Sequence, residues 1–376
     1  MTVQYRLPDV NDLDVLTREY PIALTIYVPT SPVASEREVS QMRVKSAFAS
    51  AIRSLEAAGV DRRDVVGAAS DRDDILADAR LWGSLSRSLA IFAGPGVSEV
   101  FVLPNRLDEA VHTGTHFDVG QLLRSTSVGQ EAFAITLSGN EWALWHATGS
   151  DRAAKVGVPD APTDAREDLD LGNGGDRDRG GRGVDDSKKL LLEDYARRVA
   201  DAVWQALNER DPNGRVPLFV FAAEPLRSMF EARKEGRRVV GVPGASDRLA
   251  ASDIDSVLRD LLSALGAADT EAALRALDDK PKGRVERDLA AIARGAIEGS
   301  VAAFYFDFTS TVPGHFDAET GALSLAEDGA QADDVLSQLA VAVLRRGGKS
   351  IAVRGEDLDS TVWKGPAIAD LRYALT

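Results

Sequence analysis

EAFAITLSGNEWALWHA, residues 131–147, decides the fold class. Two segments, 133–137 and 142–145, alternate at the period of a strand. The Gly139-Asn140 pair between them suits the positive φ angles of a tight hairpin turn. Downstream of a Gly- and Asp-rich stretch, the pattern predicts a helix over 188–209, a strand over 216–221, a helix over 223–235 and a strand over 238–242. In the first helix Leu192, Tyr195, Val199, Val203 and Leu207 fall on one face at spacings of three and four, so that face packs inward. Strands alternating with helices predict a sheet with helices on its faces, in a domain that starts near residue 128.

Upstream, residues 22–28 (IALTIYV) form an apolar, β-branched run closed by Pro29 and read as a buried strand. Val44, Phe48, Ile52 and Leu55 set the inward face of a helix over 38–58, with Gly59 placed as its C-terminal cap. Residues 88–92 and 97–103 read as two strands around Gly94-Pro95-Gly96. Downstream, Ser252 with Asp255 suggests a capped helix start, and 270–277 and 285–297 read as two further helices. A strand over 301–308, an amphipathic helix over 333–346 ending at Gly347-Gly348, and a strand over 350–353 complete a compact α/β/α segment. The expected division is 1–127, 128–268 with a Gly-rich loop at 171–187, and 283–376.

A chain of 376 residues fits two or three domains, and 44% hydrophobic with 27% charged residues is an ordinary globular composition. The start, MTVQYRLPDVNDLD, carries acidic residues where a secretion signal needs basic ones, and no segment reaches the ~20 apolar residues of a membrane span. A cytoplasmic protein with no membrane partner is therefore expected. With no cysteine and only four widely scattered histidines, thiolate sites and zinc motifs are excluded, and neither metal nor cofactor is expected. A net charge of −15 means that any nucleic-acid partner must be met by a local basic patch.

Three groups of segments resemble the bacterial archaeo-eukaryotic release-factor-like family, relatives of Pelota and the class 1 release factors. The first is IALTIYVPTSP with LAIFAGPG and FVLPNRLDEAVHTGTHFDVGQLLR. The second is EAFAITLSGNEWALWHA. The third is VPGHFDAETG, then DDVLSQLAVAVLRRGGKSIAV and GPAIADLRYAL. The resemblance spans nearly the whole chain in order. It implies an α/β, three-domain release-factor/Pelota-like fold with an RNase H-like middle domain and an L7Ae-like α/β/α C-terminal domain. It also implies a ribosome and rRNA as partners, and a translational GTPase reached through the C-terminal domain.

Release factors of this type carry a Gly-Gly-Gln loop at the tip of the middle domain, whose glutamine helps place a water at the peptidyl-tRNA ester. Here the corresponding stretch reads LGNGGDRDRGGRGVDDSKK (171–189), with glycine pairs followed by Asp176 and Arg182 and no Gln. The resemblance thus implies a ribosome-associated factor for stalling, rescue or stress that lacks peptide release. Gly174, Gly175 and Asp176 are the only loop candidates for catalysis. Arg177, Arg179, Gly180, Gly181, Arg182, Lys188 and Lys189 are the candidates for RNA contact, since Arg and Lys meet phosphate and glycine lets backbone approach it. A flexible, solvated loop has the same composition and stays open. Two other functions also stay open: ribosome-dependent peptidyl-tRNA ester hydrolysis through a substitute loop residue, and a non-ribosomal protein-interaction module.

Arg197 and Arg198 can extend a basic strip from Lys188 and Lys189, or simply be solvated helix charges. His112 and His116, with Asp118, read as loop or strand residues, where their spacing does not bring two imidazoles onto adjacent helical turns. His315 reads as part of a turn beside Pro313-Gly314. Trp142 and Trp145 point to opposite faces of the hairpin, so at least one belongs to the core. Asp164, Glu167, Asp168 and Asp170 read as a solvated acidic linker.

Overall fold

The computed structural model describes every residue except 128, 150, 160–181, 234–235, 244–250, 327–332, 359–362 and 375–376. In chain order the first elements are β1 (Thr2–Gln4), α1 (Val10–Leu16), β2 (Ala23–Pro29), α2 (Arg37–Ala57), α3 (Arg62–Ala77), α4 (Ala79–Gly83), β3 (Ser88–Gly94), β4 (Val97–Leu103), β5 (Ala110–Gly114) and α5 (Gly120–Ser127). Next come β6 (Ala132–Leu137), β7 (Trp142–Ala147), β8 (Ala154–Val156), α6 (Arg182–Arg210), β9 (Leu218–Ala222), α7 (Leu226–Glu231), β10 (Val239–Pro243) and α8 (Ala251–Ala276). The last are β11 (Val285–Glu286), α9 (Leu289–Glu298), β12 (Val301–Asp307), β13 (Pro313–Phe316), β14 (Leu323–Leu325), β15 (Asp333–Asp334), α10 (Val335–Arg345), β16 (Lys349–Val353) and β17 (Ala367–Leu371). The chain divides into two units: Met1–Gly129 with Ser263–Thr376, and Gln130–Leu262.

In the first unit β2 decides the packing, because its side chains alternate between two buried faces. Ile22, at its threshold, with Leu24, Ile26 and Val28 meets Val44, Phe48, Ala51 and Leu55 of α2 and Ile75 of α3. Ala23 and Tyr27 face the other way, with Phe92, Phe101 and Leu122. That second core also holds Ile292 and Ala296 of α9, Phe304 and Phe306 of β12, and Leu336, Leu339 and Val343 of α10. N-terminal and C-terminal segments therefore share apolar packing. The Ser127 hydroxyl adds a polar tie, donating to the Ser350 carbonyl at 3.1 Å and accepting from the Ala352 N–H at 3.0 Å. The N-terminal sheet runs β1-β4-β3-β2-β5, and the larger C-terminal sheet runs β11-β17-β12-β16 with β12 and β16 parallel.

Helix α2 ends where Gly59 takes φ +72°, as a C-terminal cap requires. Gly67 is different. It lies within α3, and a Cβ built there meets nothing within 4 Å. Gly67→Ala is expected to stabilise the first unit by about 0.5–1 kcal/mol, the helical cost of glycine relative to alanine, read as a higher urea midpoint.

Several local expectations are corrected. Residues 252–276 belong to one helix, α8, because Ala264, Ala267 and Ala268 carry the helix through Gly266. The helix expected over 285–297 starts at Leu289, where the Asp288 side chain accepts from Ala291 N–H at 2.8 Å, while Val285 and Glu286 pair with β17. His315 lies in strand β13, not in a turn. There Gly314 serves close approach, since a Cβ would stand 2.6 Å from the Ser324 carbonyl oxygen.

The second unit has strand order β10-β9-β6-β7-β8, with β6, β9 and β10 mutually parallel and β6, β7 and β8 antiparallel. Phe133, Ile135 and Leu137 of β6 and Leu218 and Val220 of β9 pack against Tyr195, Val199, Val203 and Leu207 of α6. Trp145 is buried and donates to Thr136 Oγ1 at 3.1 Å, while Trp142 is half-buried against the α6 core. The hairpin loop spans 138–141, but Gly139 has no positive φ. Ser138 shapes the turn instead, its hydroxyl oxygen accepting from the N–H groups of Asn140 and Glu141 at 3.3 and 3.2 Å. Tyr195 fastens that turn to α6 by donating to the Ser138 carbonyl at 3.2 Å.

Candidate nucleic-acid interface

Gly174, Gly175, Asp176, Arg177, Arg179, Gly180 and Gly181 lie outside the described residues, as do Asp164, Glu167, Asp168 and Asp170. The expected loop over 171–187 is shorter at its end, because α6 begins at Arg182. Arg182, Lys188 and Lys189 are therefore helical. Lys189 is exposed, and its ammonium stands 3.9 Å from Glu193 one turn on.

Beyond Lys189, the cations of α6 do not form the bare strip that the sequence allows. Arg197 pairs with Asp194 and stands 3.6 Å from Asp201, and Arg198 reaches Asp194 at 3.3 Å. Arg233, just past α7, stands 3.3 Å from the same Asp201. Such exposed pairs hold weakly. Arg233 was not legible as part of this cluster, since only the packing of α7 on α6 brings it there.

Two guanidiniums that the sequence does not single out hold the unit from inside. Arg237 is buried below the C-terminal end of α6. It donates to the Asp211 carboxylate and carbonyl, to the Leu207 carbonyl and to Asn208 Oδ1, the last two at 3.2 Å. It thereby adds a second donor to carbonyls that already accept from the N–H groups of Asp211, at 2.8 Å, and Gly214, at 3.1 Å. Burial raises the affinity of Asp211 for its proton. The N–H of Val216, the guanidinium and the N–H of Arg215 together outweigh this and hold its carboxyl below the usual range. Arg259 of α8, also buried, donates to the carbonyls of Gln130 and Thr148 at 2.7 Å and of Asp151 at 2.9 Å. Asp255, one turn earlier, stands 3.5 Å from it and accepts from the Ala153 N–H at 2.8 Å.

His112 is on β5, and the His116 ring meets the Thr115 hydroxyl at 3.1 Å. Among the described residues, no three His, Asp or Glu side chains come together as a metal site.

Residues 129–268 match the model of Bacterial archaeo-eukaryotic release factor family 11. That segment is release-factor-like. The match covers the hairpin, α6 and both buried guanidiniums, so the helix bearing the arginine cluster lies in the release-factor-like unit. No curated protein matches the chain. Among solved structures it is similar to an archaeal Pelota in a model of ribosome-bound Pelota and ABCE1, at 11% identity, 78% coverage of this chain, 74% of that one and TM-score 0.36. It is similar to Archaeoglobus fulgidus Pelota at 11% identity, 98% and 93% coverage and TM-score 0.35. To S. cerevisiae Dom34, a translation termination-like factor interacting with Hbs1, the figures are 13% identity, 81% and 78% coverage and TM-score 0.31. These TM-scores are too low to carry an argument. Among the described residues, no helix is long and apolar enough to cross a membrane.

Proposed function

We propose that this protein is a ribosome-associated, release-factor-like factor of stalling, rescue or stress that does not release peptides. The carrying observation is the family match of residues 129–268, on a chain whose stretch 171–189 puts Asp176 after the first glycine pair and contains no glutamine. An ionised Asp176 adds negative charge where rRNA phosphates crowd, while Arg177, Arg179, Arg182, Lys188 and Lys189 have the chemistry to contact them. The strand order of the second unit supports an RNase H-like reading, with three antiparallel strands extended by two parallel ones. The same proposal includes an L7Ae-like segment over 283–376, the three-part division at 1–127, 128–268 and 283–376, a translational GTPase met through the C-terminal segment, and a cytoplasmic setting.

A second reading, a protein-interaction module away from the ribosome, draws on one observation: Arg197 and Arg198 of α6 already have carboxylate neighbours. Co-sedimentation with 70S ribosomes, empty and tRNA-loaded, separates the two. The expected result is salt-sensitive binding by the wild type and its loss on deletion of residues 172–183. No binding to any ribosomal state overturns the proposal and favours the protein partner.

A further inference from the structure

We propose that the cavity between α3 and the β3–β4 turn of the first unit is a binding site for a small molecule with an apolar body and one cationic amine. This goes beyond the ribosome-associated reading, which draws on residues 129–268, and is tested separately from it. The cavity measures about 520 Å³, within the range of about 300–1,000 Å³ usual for small-molecule sites. Its floor is Ile22, Leu24, Leu55, Ala68 and Ala93, all buried members of the core beneath α2 and α3.

The space exists because small residues line both of its lips. On α3, Asp64, Gly67 and Asp71 follow one another at spacings of three and four, so they share one face of the helix. A Cβ built at Gly67 meets nothing within 4 Å, which leaves the middle of that face open. The β3–β4 turn supplies the other lip through Gly94, Pro95 and Gly96. Gly94 must be glycine there, since a Cβ would stand 2.7 Å from the Ile22 carbonyl oxygen. Gly67, Pro95 and Gly96 are exposed and mark the mouth.

Asp71, half-buried on the α3 side, gives the cavity its chemistry. Ser98 alternates with Val100 and Val102 of β4, whose side chains join the core beneath α3, so its hydroxyl is on the cavity side of the sheet. Burial pushes the Asp71 carboxyl above its usual range. The hydrogen bond from Ser98 and the Met1 ammonium pull it down, and Asp74 adds to the rise. Among the described residues, no lysine or arginine makes an ion pair with Asp71. An ammonium on a hydrocarbon body answers both features: the charge pairs with a carboxylate withheld from water, and the body lies on the apolar floor. Arg63, exposed at the rim, offers the competing chemistry of an anion site.

The test is calorimetric titration of the full-length protein with phenethylamine, phenethyl alcohol and hydrocinnamate, three probes of similar size that differ in charge. The amine is expected to bind about tenfold more tightly than the alcohol, the lower end of what a hydrogen bond to a charged group contributes, and the carboxylate is expected to bind most weakly. Asp71→Asn is expected to abolish the advantage of the amine while the affinity for the alcohol holds. Gly67→Leu puts a side chain into the open space and is expected to lose all three probes. Its urea midpoint is expected to be no lower than that of the wild type, because leucine is the better helix former, so lost binding does not reflect lost folding. No binding of the amine at millimolar concentration, equal affinity for amine and alcohol, an amine preference that survives Asp71→Asn, or unchanged affinity in Gly67→Leu overturns the assignment. Tighter binding of the carboxylate also overturns it, and transfers the chemistry of the cavity to Arg63.

Discussion

Arg237→Met lowers the stability of the release-factor-like unit by about 3–5 kcal/mol, the usual cost of removing one partner from a buried ion pair. The substitution keeps the apolar stem but strands the Asp211 carboxylate, and it removes the donor shared by the carbonyls of Leu207 and Asp211 at the end of α6. Urea unfolding followed by tryptophan fluorescence reads it, since Trp142, Trp145 and Trp204 all belong to this unit. Adding Asp211→Asn removes the unpaired charge and recovers part of the loss. The pH dependence has a definite sign. The Asp211 carboxyl sits below its ordinary range, so its contribution is present above about pH 4 and disappears as pH falls through the folded-state value. The gap between wild type and Arg237→Met therefore narrows in acid. A substitution within about 0.5 kcal/mol of wild type at neutral pH contradicts the assigned role.

Arg259→Met is the second large effect, at about 2–4 kcal/mol. One buried side chain serves three carbonyls, those of Gln130 before β6 and of Thr148 and Asp151 after β7, and no apolar residue replaces those bonds. The loss leaves Asp255 with its bond from the Ala153 N–H but without its cationic neighbour. Arg259→Lys keeps the charge and recovers only part of the stability, because a single ammonium does not reproduce the geometry of a fork. Limited proteolysis within 130–159 gives a local readout, with faster cleavage in the methionine variant. Equal cleavage in wild type and variant contradicts the role of Arg259 as the tie between α8 and the hairpin.

The hairpin of the second unit was legible because alternation over 133–137 and 142–145 is a period that only a strand satisfies. The α6 face was legible because five apolar residues repeat at helical spacing. Local punctuation misled more often. Pro313-Gly314 reads as a turn but serves a close strand approach, and the helix starting at Ser252 and the one over 270–277 read as separate but form one helix. The candidate RNA contacts divide along the chain: Arg182, Lys188 and Lys189 fall in α6, while the glycine pairs fall outside the described residues.

The sequence by itself determined the α/β class, the central strands of the sheets, the helices α2 and α6, and the missing glutamine, since periodicity and residue identity are local properties. Only the tertiary structure decided that N-terminal and C-terminal segments share a core, that Arg237 and Arg259 are buried, and that Arg233 joins Arg197 and Arg198 around two aspartates. An arginine carries no sign in sequence of whether it faces water or lies inside. Its partners here are carbonyls and carboxylates up to 129 positions away, brought within hydrogen-bond reach only when the sheets close.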